Sequence, residues 1–401
     1  MKRLILVAAT LTAAFICCSA ATRPSTAPGQ DCKGKCSPEV IVGAARTELY
    51  VPELKGKRIA LMSNQTGVVG DKHSLDIMLE NGLDVQLIYS PEHGFRGTAD
   101  AGELVSSSVD EKTGIRIQSL YGSKEPIDLT DIDVVVIDIQ DVGLRYYTYY
   151  VTMVKLMNKA LEYGKEFMIF DRPNPNGMYV DGPILDMKYK SGVGGLPITT
   201  VHGMTLGELA KMAEGEGWLD NGAKLKKLTV IPCANYTHQT RYVLPVAPSP
   251  NLPTMKSVYL YASLCFFEAT PVSLGRGTEK PFEMYGHPDM TGPFDFTPVS
   301  RFGAKEPTQK DNLCHGYDLS GLDDEQIIKR GINMEYFVNA YNQIGKGNDK
   351  FWRNSFERLM GKGDIRQMII DGKSARQIEA SWKKDVKKFK KQRKPYLLYA
   401  E

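Results

Sequence analysis

From about residue 40 onward, short apolar runs alternate with amphipathic stretches. Residues 58–63, 84–89, 133–138 and 166–170 each read as a strand. The third is almost wholly apolar, the pattern of a central parallel strand covered on both faces. Between them, residues 74–81, closed by Gly82, and residues 149–163 read as helices. Such alternation predicts an α/β fold: a Rossmann-like, doubly wound parallel sheet. A second region begins near residue 185. There Thr205 and Glu208 have the spacing of a capping box that opens a helix to about Gly215. Residues 228–232 read as a strand and 254–265 as a helix. Beyond residue 320 helices dominate, at 334–344, 351–360 and 375–392. The predicted organisation is a Rossmann-like domain over 39–185 and a second region over 186–401.

The two ends differ from this body. Lys2 and Arg3, the apolar stretch from Leu4 to Ile16 and the small residues Cys17 to Ala21 form a secretion-signal pattern over residues 1–21. Export follows as an expectation, to the periplasm or the medium, with lipid anchoring at Cys17 or Cys18 as a variant of it. No other apolar run has the length of a membrane span. Residues 22–38 read as a linker, and their Cys32 and Cys36 could pair in an oxidising compartment. At the other end, residues 383–394 hold eight basic side chains and one acid. The chain's net charge of +3 conceals this: without the run and the signal's two cations, the rest is near −6. Near-neutrality gives nucleic acid binding no support. Ser374 is a plausible N-cap, and Ile378, Trp382, Val386 and Phe389 form one helical stripe. The run therefore reads either as a packed helix with solvated lysines, or as a contact for an anionic wall polymer or lipid headgroup.

In open α/β sheets, ligands bind beyond the carboxyl ends of the strands. Four polar loops follow the first four predicted strands: 63–67, 90–97, 138–145 and 171–175. There is no GxGxxG or GxxxxGK[ST] pattern, so no nucleotide cofactor is expected, and no GxSxG nucleophile elbow. Glu92, between Pro91 and His93, is the first candidate for a general acid or base. His93 could tune it or bind substrate. Asp138 and Asp141 could orient their loop, bind sugar hydroxyls or, with His93, Asp171 and His202, hold a metal, though no metal-binding spacing is present. A second cluster spans residues 267–283. Arg276 lies between glycines and could grip a carboxylate, and Glu268, Glu279 and Glu283 add carboxyl groups. The stiff turn at 249–254 could shape the same cleft, and Tyr147 and its neighbours offer flat faces for sugar rings.

The motifs NQTG (64–67), SPEHGFRGTADAGE (90–103), DIQDVGLRYYTY (138–149), DRPNPNG (171–177), HGMTLGELA (202–210), PSPNLPT (248–254) and SLGRGTEKPFE (273–283) occur in this order. Together they resemble the NamZ family of exo-β-N-acetylmuramidases, over roughly residues 40–400. The chain departs from the family pattern at residues 269–272, at Leu144 and at Leu252. The resemblance implies release of N-acetylmuramic acid from the non-reducing ends of peptidoglycan fragments such as muramoyl-glucosamine saccharides. It also implies a Rossmann-like catalytic domain, a smaller α/β C-terminal domain and an active-site cleft between them, and it makes Glu92 catalytic; Glu268, Glu279 and Asp138 are the candidates for a second carboxylate. Asn64, Arg96, Asp141, Arg145, Tyr147, Arg172, His202, Arg276 and Glu283 are the expected substrate ligands. Two rival readings use the same residues: a non-catalytic binder of wall sugars, and a metal-dependent hydrolase built on Asp138, Asp141 and His93.

Overall fold

Alternate residues of the central strands enter two different apolar cores. Ile59 and Leu61 face one, while Ala60 and Met62 face the other; Val134 and Val136 are likewise divided from Val135 and Ile137. A strand buried on both sides needs helices on both sides, and the computed structural model, which describes residues 39–91, 95, 107–120 and 125–401, has them. Helix α1 (Thr47–Leu54) precedes β1 (Arg58–Ser63), and a small hairpin, β2 (Val68–Val69) with β3 (Lys72–His73), leads to α2 (Ser74–Glu80). Then come β4 (Asp84–Ser90), β5 (Ser108–Val109), β6 (Arg116–Ser119), β7 (Val134–Asp138), α3 (Tyr149–Glu162), β8 (Glu166–Phe170), α4 (Leu206–Gly215) and β9 (Leu228–Ile231). Tyr50 and Leu54 of α1 and Leu75 and Met78 of α2 fill one core, and α3 and α4 fill the other.

The seven-stranded sheet has the order β5-β6-β4-β1-β7-β8-β9. Only the edge strand β5 runs antiparallel; the other six pair in parallel. Counted along the chain, those six lie in the Rossmann order 3-2-1-4-5-6, which puts the topological switch between β1 and β7. The sheet does not stop near residue 185. Leu228–Ile231, assigned by sequence to the second region, pairs with β8 from Phe167↔Leu228 to Phe170↔Ile231.

The remainder begins with α5 (Met255–Leu264). A three-stranded antiparallel sheet follows, in which β12 (Cys314–Asp318) lies between β10 (Met284–His287) and β11 (Phe294–Phe296). The apolar pattern does not announce these strands because Gly286 pairs with Gly316 across the ladder. A Cβ on Gly316 would stand 2.0 Å from the Tyr285 carbonyl oxygen, so the close approach requires glycine. Helices α6 (Asp324–Arg330), α7 (Glu335–Ala340), α8 (Phe356–Met360), α9 (Asp364–Ile370), α10 (Ala375–Ser381) and α11 (Lys383–Arg393) complete the chain. The expected helix at 351–360 begins only at Phe356. The one expected at 375–392 is two, broken at Trp382 (φ −100°, ψ 6°), whose indole N–H donates to Asp181 Oδ1 at 2.9 Å. Ser374 caps α10 with Gln377, and Thr205 and Glu208 form the capping box of α4.

The terminal segment returns to the large sheet. The Tyr399 hydroxyl donates to Asp171 Oδ2 at 2.6 Å, and the Leu398 amide donates to Glu208 Oε1 at 2.7 Å. Asp171 also accepts from the Thr205 hydroxyl and the Gly207 amide, so the end of β8 is held by both α4 and the C-terminus. Burial nevertheless raises the Asp171 carboxyl to about 6.

Candidate active site

The loops after β1 and β7 are locked together at the switch point. Asn64 is fully buried; its Oδ1 accepts from the Thr66 amide and hydroxyl at 3.0 and 2.6 Å. The Thr66 hydroxyl oxygen accepts the Gln140 amide at 2.9 Å, and Asn64 Nδ2 donates to the Tyr149 hydroxyl at 2.8 Å. Tyr149 and Tyr147 both donate to the Pro248 carbonyl, at 3.3 and 2.8 Å, which fixes the turn at 248–254 against the start of α3. Asn251 donates on to the Gly303 carbonyl at 2.7 Å.

A cleft opens beside this seam. Tyr147, Thr148 and Tyr149 line it together with Ser249 and Asn251, Arg276 and Phe282. Three stretches far apart in sequence therefore meet, and Arg276 is the only charged side chain among the described residues that line it. Its guanidinium lies 5.3 Å from the centroid of the Phe282 ring, and its Nη2 donates to Glu268 Oε1 at 2.6 Å. Both partners of this pair are 31% exposed, so the cation is held but reachable. Phe282 is buried at φ 59°, a conformation that costs an aromatic residue energy and places its ring beneath the arginine. Tyr261, which also lines the cleft, falls in no sequence motif, and Phe282 lies within one where its aromatic ring carries no signal of its own.

Other sequence candidates are engaged elsewhere. Asp138 is completely buried, and both its oxygens accept from Arg172, at 2.6 and 3.0 Å. Burial opposes the Arg172 charge, but the Asp138 carboxylate outweighs it and keeps the guanidinium above its ordinary range. The same Arg172 donates to the Val68 carbonyl at 3.0 Å. This pair ties β7 to β8 and commits both groups expected to meet substrate or metal. Arg145 is likewise no cleft residue: its Nη1 donates to the Pro183 and Ile198 carbonyls at 2.7 and 3.1 Å, and its Nη2 to Leu359 and Met360 at 2.9 and 2.8 Å. Gly361, at φ 85°, lies so close that a Cβ there would stand 2.5 Å from Arg145 Nη2. His202 is buried, its Nδ1 accepts the Met204 amide at 3.2 Å, and burial pushes its pKa down to about 3, so the ring is neutral. Glu283 is buried and accepts from the Thr254 hydroxyl at the start of α5. Glu279 points into solvent, with its side chain 83% exposed. Glu92, His93 and Arg96 lie outside the described residues; β4 ends at Ser90, next to β1 on the same rim. Among the described residues no group of three or more His, Cys, Asp or Glu is placed to hold a metal.

Asp141 is buried in the loop after β7. Its Oδ1 accepts the Gly143 amide at 2.7 Å, its Oδ2 has no donor among the described residues, and burial raises its pKa to about 7. A carboxyl group whose folded-state pKa is raised favours the folded state in acid, and that contribution is lost as pH climbs through about 7. Asp141→Asn keeps the bond from Gly143 and removes the titration. Thermal unfolding should then show a smaller fall in Tm from about pH 5 to about pH 8 than the unsubstituted protein shows.

An arginine over an aromatic ring, flanked by tyrosines, an amide and a serine hydroxyl, can hold a ligand that combines an anionic group with flat apolar faces. Comparison with known proteins gives the family. The chain belongs to the exo-β-N-acetylmuramidase NamZ family, whose N-terminal region matches residues 59–256 and whose C-terminal region matches residues 259–399. It is thus an enzyme of the glycoside hydrolase class. It is 39% identical over 376 residues to the peptidoglycan β-N-acetylmuramidase NamZ of Bacillus subtilis, covering 87% of this chain and 89% of that one. Two crystal structures of DUF1343 family proteins from Bacteroides fragilis share the fold. One is 58% identical with a TM-score of 0.85, covering 91% of this chain and all of the other. The second is 27% identical with a TM-score of 0.77, covering 90% and 99%.

Proposed function

We propose that this enzyme is exported and removes N-acetylmuramic acid from the non-reducing ends of peptidoglycan fragments, with Glu92 as the general acid that protonates the glycosidic oxygen. The signal pattern in residues 1–21 supports export, because the substrate lies outside the cytoplasm. The placement of Arg276 carries the choice of sugar. Muramic acid bears a lactyl carboxylate that glucosamine lacks, and a half-exposed guanidinium seated on Phe282 is suited to it. Elimination of the other two candidates supports Glu268 as the second carboxylate. Asp138 has both oxygens committed to Arg172, and Glu279 stands in solvent, whereas Glu268 is half-exposed beside Arg276. A separation from Glu92 of about 5–5.5 Å would make the enzyme retaining, and one of about 6.5–9.5 Å inverting.

Arg276→Ala should lower kcat/KM on a muramoyl-capped disaccharide by roughly 10- to 100-fold, the worth of a charged hydrogen bond. Slow turnover of the matching glucosaminyl-capped compound, which loses only the support that Arg276 gives Glu268, should fall much less. Steady-state kinetics on the two substrates checks this, and an equal loss on both would refute the recognition role of Arg276.

A further inference from the structure

Helix α11 is charged in a way that its own stability does not explain. Residues 383–394 hold eight basic side chains and one acid, while the rest of the chain from residue 39 has an excess of eight acids. Lys383 and Lys384 occupy the first turn, where the helix dipole disfavours cations. Lys383–Lys387, Lys384–Lys388, Lys387–Lys391 and Lys390–Lys394 are like-charged pairs four residues apart, each of them repulsive.

The opposite face is firmly seated. Phe389 and Arg393 are buried and Val386 packs against the core. Arg393 donates to the Gly203 carbonyl at 2.6 Å, and Gln392 donates to Glu216 at 2.6 Å. With about 100° of rotation per residue, Lys383, Lys384, Lys387, Lys388, Lys390 and Lys391 fall within an arc of roughly 160° on the outer side. All six, and Lys394, are exposed, and none forms an ion pair among the described residues. The one acid of the helix, Asp385, is drawn off the arc by Lys362 at 2.8 Å.

We propose that this lysine face is a docking surface for a membrane rich in anionic phospholipid. The arc is convex and contains only lysines. It offers neither the planar forks of arginine nor aromatic rings with which to grip the units of a single polymer chain. An array of flexible point charges on a rigid helix instead matches a plane of phosphate groups, where each lysine adds to the attraction without inserting. No apolar side chain lies on the arc, so attachment is peripheral, reversible and sensitive to salt.

The test is co-sedimentation of the full chain with vesicles of phosphatidylcholine alone or of phosphatidylcholine mixed with phosphatidylglycerol, at low and high salt. Two fourfold variants are compared: Lys383, Lys387, Lys390 and Lys394 to Gln, and, as a control of equal charge, the exposed Lys55, Lys224, Lys329 and Lys373 to Gln. The unsubstituted protein should bind only the phosphatidylglycerol vesicles, and salt should release it. The α11 variant should lose at least about tenfold in partitioning, whereas the control retains it. Both should keep full turnover of a soluble disaccharide, which shows that they are folded. Equal binding by the two variants would overturn the proposal. So would binding to soluble polyphosphate without binding to the anionic vesicles, which would identify a polymer site instead.

Discussion

Glu92→Gln is expected to reduce kcat on a muramoyl-glucosamine disaccharide by about 10²- to 10⁴-fold, the range that a positioned general acid contributes. Glutamine is close in size and cannot give up a proton to the leaving oxygen. KM should change far less than kcat, because the groups that line the cleft, Tyr147, Ser249, Asn251 and Arg276, remain in place. The loss should be smaller on an aryl glycoside with an acidic phenol, whose departure needs little protonation. A uniform loss on both substrates, or a fall in Tm with the loss, would point to a structural role for Glu92 instead.

The largest effect on stability is expected at Arg145. Its guanidinium satisfies four buried carbonyls, two in the stretch 183–198 and two at the end of α8. No carboxylate pairs with it among the described residues, and burial pushes its pKa down to about 10. The cation is solvated by backbone alone, so its removal strands several acceptors at once. Arg145→Met should cost at least about 3 kcal/mol, more than a typical core substitution. Urea unfolding followed by tryptophan fluorescence measures this. Arg145→Lys should recover only part of the loss, because a lysine cannot span two pairs of carbonyls with one planar fork. Because Tyr146, Tyr147 and Tyr149 follow directly in the chain, the cleft should loosen as the fold weakens.

Arg145 also shows where sequence reasoning stops. An arginine in a polar loop after an apolar strand reads as a substrate ligand, and its true partners at Leu359 and Met360 lie more than two hundred residues away. The same holds for Arg172, whose partner Asp138 sits on the neighbouring strand and uses up its fork. Five of the six parallel strands were legible as short apolar runs bounded by polar loops, and β8 begins and ends where its run does; β6, Arg116–Ser119, was not, because Ile117 is its only apolar residue. The capping box of α4 was legible because its signal is purely local. Strands β10 and β12 were not, because their pairing rests on facing glycines that local propensity reads as turns. Nor was the break at Trp382: the apolar stripe continues through it, while the indole is drawn to Asp181. For the site, the motifs located the stretches 138–149, 248–254 and 273–283, but only the fold brings them to one cleft and seats Arg276 on Phe282.

The central claim, that this enzyme cleaves a terminal β-N-acetylmuramoyl bond, is tested most directly by incubating the purified protein with N-acetylmuramoyl-N-acetylglucosamine and with a longer glycan capped by muramic acid. Products are followed by mass spectrometry, with early time points by NMR to read the anomer first formed. The expected result is free N-acetylmuramic acid from both substrates, a single residue from the non-reducing end of each chain, with release slowed about 10²- to 10⁴-fold in Glu92→Gln. Intact disaccharide with tight binding, or internal cleavage of the longer glycan, would contradict the account.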